Sequence, residues 1–163
     1  MINFLNANNK ADDIELLANL IWNEHFLGII TQEQIDYMLE TFQSKEAIEE
    51  AIKFQDYNYF LIKYNDDNIG YFAYKFEENK IFLSKIYISK DYRGQGISSM
   101  VIEFIKELAI ENNFKSIYLT CNKHNKNSLA VYEHLGFKNI DSKVSDIGNG
   151  YVMDDYIYSL DMI

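Results

Sequence analysis

Residues 80 to 121 constrain the fold of this chain more than any other stretch. Lys80 to Ser89 is rich in Ile, Phe, Leu and Tyr and reads as a strand. Glycines follow at Gly94 and Gly96, and from Ile97 the apolar period becomes helical. Val101, Ile102, Ile105, Leu108 and Ala109 form one stripe through about Glu111. Asn112 and Asn113 suit a helix stop, and Ser116 to Cys121 is strand-like again. A strand, a glycine loop, an amphipathic helix and a strand make a right-handed crossover between two parallel strands.

The flanking pattern adds antiparallel strands. Tyr59 to Tyr64 and Ile69 to Phe76 join Lys80 to Ser89 through the short turns 65–68 and 77–79, which predicts a meander. Phe137 to Val144 and Tyr151 to Leu160 flank Gly148-Asn149-Gly150 and read as a hairpin. Upstream, Met1 to Leu5 is a short strand. Ile14, Leu17, Ala18, Ile21 and Trp22 mark a helix that starts at Asp12 and is broken by Gly28. Thr31 to Gln34 forms a capping box for a second helix through Phe42, and Ser44 caps a third. Ser128 to Leu135 is a short helix ended by Gly136. The expected fold class is α/β, a mixed and mostly antiparallel sheet with one parallel pair and helices on both faces.

Composition narrows the function classes. With 163 residues, 48% hydrophobic and 15% aromatic, the chain is expected to form a single domain, 1–163, around a real core. A net charge of −10 repels phosphate backbones and argues against a nucleic-acid partner. The lone cysteine, Cys121, excludes an intrachain disulfide and fits a reducing compartment. Met1 to Lys10 lacks a signal-peptide pattern, and no apolar run is long enough for a membrane span. A cytoplasmic protein with no membrane partner is expected. None of His25, His124 and His134 has metal-ligand spacing, so no metal site is expected.

The loop Arg93-Gly94-Gln95-Gly96-Ile97-Ser98 carries the chemical signal. The first turn of a helix presents unpaired N–H groups and the positive end of the dipole, a natural anion site. Glycines let a backbone approach closely, and Ser98 and Ser99 add hydroxyl donors. By itself the pattern also fits a strand-to-helix turn that happens to hold two glycines. It is neither a Walker loop nor a dinucleotide G-x-G-x-x-G, because no Gly-Lys-Ser/Thr and no third glycine follow.

A second motif lies downstream, Asn125 with Tyr132 seven positions later and Gly136-Phe137 after that. Together the two segments resemble the GCN5-related N-acetyltransferase (GNAT) superfamily, over about Tyr59 to Phe137. That family's phosphate loop reads Gln/Arg-x-x-Gly-x-Gly/Ala. Arg93 to Ile97 match it and Ser98 departs from the final Gly/Ala. The resemblance implies a GNAT-like acyl-CoA N-acyltransferase fold with a splayed parallel pair, acetyl-CoA as co-substrate, and direct attack of an amine on the thioester. It assigns pantetheine contacts to the backbone of Ile86, Tyr87 and Ile88, where strand-like pairing to amides is physically reasonable. It assigns the pyrophosphate to Arg93 through Ser99, a cofactor contact to Asn125, and the proton donor to the thiolate to Tyr132. Without the motif, Tyr132 beside Val131 and Leu135 reads as a packing residue and Asn125 as a helix cap.

The base stays open. Some relatives carry a glutamate where this chain has Thr120, which cannot act as one. Glu24, His25, Asp154 and Asp155 are candidates, as is a water chain to solvent. Acceptor recognition is expected from Trp22 to Met38 and Ser145 to Tyr156, with Glu24, His25, Asp154 and Tyr156 as contacts. Carboxylates interleaved with aromatics suit a small cationic amine. A peptide N-terminus or lysine is the alternative acceptor, and a non-catalytic acyl-CoA-binding module the alternative class. Dimers are frequent in the family, which makes a homodimer an expectation by analogy.

Overall fold

The computed structural model describes residues 1–162; Ile163, the last residue of the expected domain, lies outside the described residues. The elements run β1 (Ile2–Asn6), α1 (Ala11–His25), α2 (Gln32–Phe42), α3 (Lys45–Phe54), β2 (Asn58–Tyr64), β3 (Asp67–Glu77) and β4 (Lys80–Ile88). A 3-10 turn at Lys90–Tyr92 precedes α4 (Ile97–Glu111), β5 (Ser116–Asn122), α5 (Lys126–His134), β6 (Lys138–Gly148) and β7 (Tyr151–Asp161). The seven strands lie in the order β1-β2-β3-β4-β5-β7-β6. The β4–β5 pair is parallel, from Lys80↔Ser116 to Phe82↔Tyr118, and β1–β2, β2–β3, β5–β7 and β6–β7 are antiparallel. The expected mixed α/β fold is therefore present.

The chain divides into two compact units, Met1–Phe76 with Ser84–Val101, and Glu77–Leu83 with Ile102 onward. In the first, Ile14 and Ile21 of α1, Ile35, Ile48, Leu61 and Phe72 are almost wholly buried. Thr31 and Ser44 cap α2 and α3, accepting from Gln34 N and Ala47 N, each at 3.2 Å. Glu15 of α1 accepts from Lys45 N at 2.7 Å and so fixes the start of α3. In the second unit, Ile81, Leu83, Ile105, Ala109 and Ile117 make the core.

The asparagines turn the chain. Asn65 and Asn79 adopt φ of 54° and 61° between the meander strands, a left-handed conformation that asparagine tolerates well. Asn113, at φ 58°, ends α4, and Phe114 N reaches Ala109 O at 2.8 Å in a Schellman closure. The observed bounds of α4 coincide with the apolar stripe. In contrast, α5 begins at Lys126 rather than Ser128, because Asn125 caps it. β6 extends to Gly148 with register shifts at Asn139/Asp141 and Asp146/Gly148, so its length was hidden by broken alternation.

Candidate active site

The first unit holds the glycine loop and the strand before it. Gly94 and Gly96 adopt φ of +75° and +77°, and a Cβ added at either would meet nothing within 4 Å. The loop thus combines a glycine-specific backbone with clear space above it. The first helical bond nearby is Met100 N to Gly96 O at 3.2 Å, so the amides of Ile97, Ser98 and Ser99 lie in the first turn of α4. These are the features an anion cradle needs, and a pyrophosphate fits them without a dedicated lysine.

Arg93 reaches backward instead of outward. Its Nε donates to Ile88 O at 2.9 Å and ties the loop to the end of β4. Gln95 makes a longer contact to Asp91 O at 3.4 Å. β3 supports the same strand end, with Ser89 N donating to Ile69 O at 2.8 Å. Gly70 is buried there, and a Cβ on it would run into Tyr87 O and lie 3.2 Å from Ile88 Cα. Ile88 is buried and Ile86 and Tyr87 half-buried.

Tyr87 is the centre of an aromatic cluster that the sequence motifs did not reveal. Its ring centroid lies 5.2 Å from Trp22, 5.6 Å from Tyr71, 5.7 Å from His25 and 6.2 Å from Phe26. Trp22 Nε1 donates to Tyr71 OH at 2.8 Å, and Tyr71 OH donates to Gln43 Oε1 at 3.1 Å. Gln43 is 1% exposed, so this is a buried polar chain with its partners in place. Burial first, and then the charge of Arg93, pull His25 down to about 4, which leaves a neutral imidazole at neutral pH. Beside it on α1, the Oε1 of Glu24 is buried with no hydrogen-bond partner.

The second unit holds Asn125 and Tyr132. Asn125 is buried and caps α5, its Oδ1 accepting from Ser128 N at 3.4 Å. Asn122 starts the preceding turn, accepting His124 N at 2.9 Å. Tyr132 is 8% exposed, with its ring 6.0 Å from Phe137 and its carbonyl accepting from Phe137 N at 3.0 Å. The helix is joined to β7 where Tyr158 OH donates to Glu133 Oε2 at 3.1 Å. Asp154 and Tyr156 come together, but around a cation of the chain's own. Lys123 Nζ is 2.8 Å from Asp154 Oδ1 and 5.3 Å from the Tyr156 ring centroid. Cys121 is buried and pushed up to about 12, by burial first and then the Asp155 charge. His124 and His134 are exposed.

Comparison with known proteins places the chain in a family. Residues 19–137, well over half the chain, match the model of the Acetyltransferase (GNAT) family. The thialysine N-epsilon-acetyltransferase of Bos taurus is 32% identical over 71 residues, 43% of this chain and 42% of that enzyme. The match thus spans less than half the length of that relative. The probable spermine N(1)-acetyltransferase of Bacillus subtilis subsp. natto (strain BEST195) is 27% identical over 118 residues, covering 67% of this chain and 76% of that protein. The crystal structure of the PaiA N-acetyltransferase from Thermoplasma acidophilum, in complex with coenzyme A, superposes with a TM-score of 0.84. It is 18% identical and covers 99% of both chains, a likeness of fold.

Proposed function

The chain belongs to the acetyltransferase (GNAT) family, and from that premise we propose that it moves an acetyl group from acetyl-CoA to a primary amine, with a small cationic amine as acceptor. The observation that carries this reading is the loop at Gly94 and Gly96, left-handed, open above, and set at the first turn of α4. Gly94 to Ser99 hold the pyrophosphate, with Gly94, Gln95, Gly96 and Ile97 giving backbone contacts and Ser98 and Ser99 hydroxyls. Arg93 serves by clamping the loop to Ile88 rather than by reaching the phosphates. The backbones of Ile86, Tyr87 and Ile88 pair with the pantetheine amides. When bound, acetyl-CoA supplies an activated acyl carbon. Tyr132 donates a proton to the departing sulfur, and Asn125 holds the start of α5 and contacts the cofactor.

An amine acceptor is supported by the likeness to a bovine thialysine N-epsilon-acetyltransferase and a probable Bacillus spermine N(1)-acetyltransferase, and by the net charge of −10. Glu24, with its buried and unpartnered Oε1, suits an incoming ammonium, with His25 beside it as a neutral wall. Asp154 and Tyr156 already hold Lys123, so they shape this region through an ion pair that an acceptor must exchange with or accept.

Thiol release from acetyl-CoA with a panel of diamines, polyamines, amino sugars and peptides tests the proposal. Turnover on small amines above peptides is expected. Gly96→Asp should abolish coenzyme A binding measured by calorimetry. Tyr132→Phe should lower kcat far more than coenzyme A affinity. Coenzyme A binding without turnover on any amine or peptide would make the chain a binding module.

A further inference from the structure

Asp155 of β7 and Asn122 of β5 are directly paired across the antiparallel ladder. Side chains of such a pair stand together on one face of a sheet. Asn122 is 8% exposed and opens the turn that leads to Asn125, the cap of α5, on which Tyr132 lies. Asp155 stands in the same unit as Tyr132, and its cross-strand partner Asn122 is one turn of chain from the cap of the Tyr132 helix. The Oδ1 of Asp155 is buried and has no hydrogen-bond partner. An ionised oxygen in that state is costly unless a donor arrives to meet it. Two cations act on it: Lys143, its direct partner across the β6–β7 ladder, makes no hydrogen bond to that buried oxygen, and Lys123 Nζ sits 2.8 Å from Asp154 Oδ1 and over the Tyr156 ring.

We propose that Asp155 is the base that takes the proton from the acceptor ammonium, so that the buried Oδ1 is the seat of an N–H donor supplied by substrate. This rests on the acetyl-transfer reading above. The step balances simply. One ammonium proton passes to the Asp155 carboxylate and then to solvent. The freed nitrogen bonds to the thioester carbon, the carbon–sulfur bond breaks, Tyr132 gives its proton to sulfur to make the thiol, and a second nitrogen proton restores the Tyr132 hydroxyl. No oxidant or reductant is needed.

The charged surroundings suit the role. The titratable groups that act on Asp155 are Lys143, paired directly with it on β6, Asp154 next to it on its own strand, Lys123 in the turn after β5, and Cys121 on β5. Burial first and the Asp154 charge second raise Asp155 to about 6, with Lys123 and Lys143 pulling the other way. The carboxylate is thus ionised at neutral pH yet more basic than an exposed aspartate, which narrows the gap to an amine.

The test is Asp155→Asn in the full chain, with acetyl-CoA and an amine that the wild type turns over. The expected result is a fall in kcat of about 100-fold at pH 7, with coenzyme A affinity unchanged. The acidic limb of the wild-type kcat/KM profile, near pH 6, should vanish, and activity should recover as pH rises and free amine accumulates. A variant within threefold of wild type (~3-fold, well below the general-base range) that keeps the limb overturns the role. Where Asp155→Asn does not fold, Asp155→Glu decides: a displaced limb supports the role and an unmoved one overturns it. No wild-type turnover on any amine overturns acetyl transfer and this role together. Wild-type turnover that survives unchanged in Asp155→Asn overturns this role alone.

Discussion

The indole N–H of Trp22 donates to the hydroxyl of Tyr71 at 2.8 Å, and that hydroxyl in turn donates a hydrogen bond to Gln43 Oε1 at 3.1 Å. Tyr71→Phe keeps the ring and removes only the oxygen. Two buried partners then lose their hydrogen bonds, a loss on the order of 2 kcal/mol. For a chain of this size the melting temperature should fall by roughly 4–8 °C, read by circular dichroism. Because Trp22 also packs on Tyr87, tryptophan fluorescence should change as well.

Lys85 is a half-buried cation between Tyr57 and Tyr59, with its Nζ 5.1 and 5.7 Å from the two ring centroids and 3.0 Å from Ser84 Oγ. Burial lowers it from 10.5 to about 8. The unfolded chain therefore holds a proton that the folded chain has shed between those values, and folding stability rises with pH across that window. Below it, the lysine is a net cost only partly offset by the rings. Lys85→Met should stabilise the protein at pH 7 by on the order of 2 kcal/mol, an advantage that fades by pH 10. Denaturant melts at the two pH values check this, and a pH-independent difference would refute it.

His25 should remain neutral down to about pH 4. Its folded value lies below the ordinary 6.5, so the unfolded chain binds the proton first and stability drops as pH falls from 6.5 toward 4. Titration of the His25 ring by NMR should show no inflection near 6.5. Arg93→Gln, which removes the smaller cause and leaves burial, should raise the midpoint without restoring the ordinary value.

Gly70→Ala tests how tightly β3 holds the end of β4. The added methyl meets the Tyr87 carbonyl and the Ile88 Cα, both backbone atoms that cannot swing away. A destabilisation of about 3 kcal/mol is expected, at the upper end for overpacking, with weaker coenzyme A binding. Denaturant melts and calorimetry read the two effects. Loss of stability without loss of affinity would show that the Tyr87–Ile88 backbone does not contact coenzyme A.

Local chemistry made much of this fold legible. Thr31 and Ser44 announced their helices because a capping side chain bonds two or three residues away. The stripe from Val101 to Ala109 fixed α4 for the same local reason. β3 was less distinct, since Ile69 to Tyr74 are buried on both faces and show no alternation. Gly94, Gly96, Asn125 and Tyr132 were visible as a spacing. The Trp22–Tyr71–Gln43 chain was not, because its members lie 49 and 28 positions apart and none has a local signature. Lys85 read as one polar residue in a strand, and only the packing of Tyr57 and Tyr59 around it shows its burial. Likewise, the surroundings of the unpartnered Asp155 Oδ1 come from the neighbours that β5 and β6 set beside it, Asn122 and Lys143, a matter of cross-strand register rather than of sequence order.

The register shifts of β6 have a consequence of a different kind. β6 pairs with β7 on one side, and from Lys138 to Val144 every residue is exposed, including Ile140 and Val144. A long, regular strand of that kind would template the addition of further chains. The irregularities at Asn139/Asp141 and Asp146/Gly148 interrupt its row of amides and carbonyls, and Lys138, Asp141 and Lys143 place charge along it. The same defects that hid this strand in the sequence guard the folded chain against stacking into fibres.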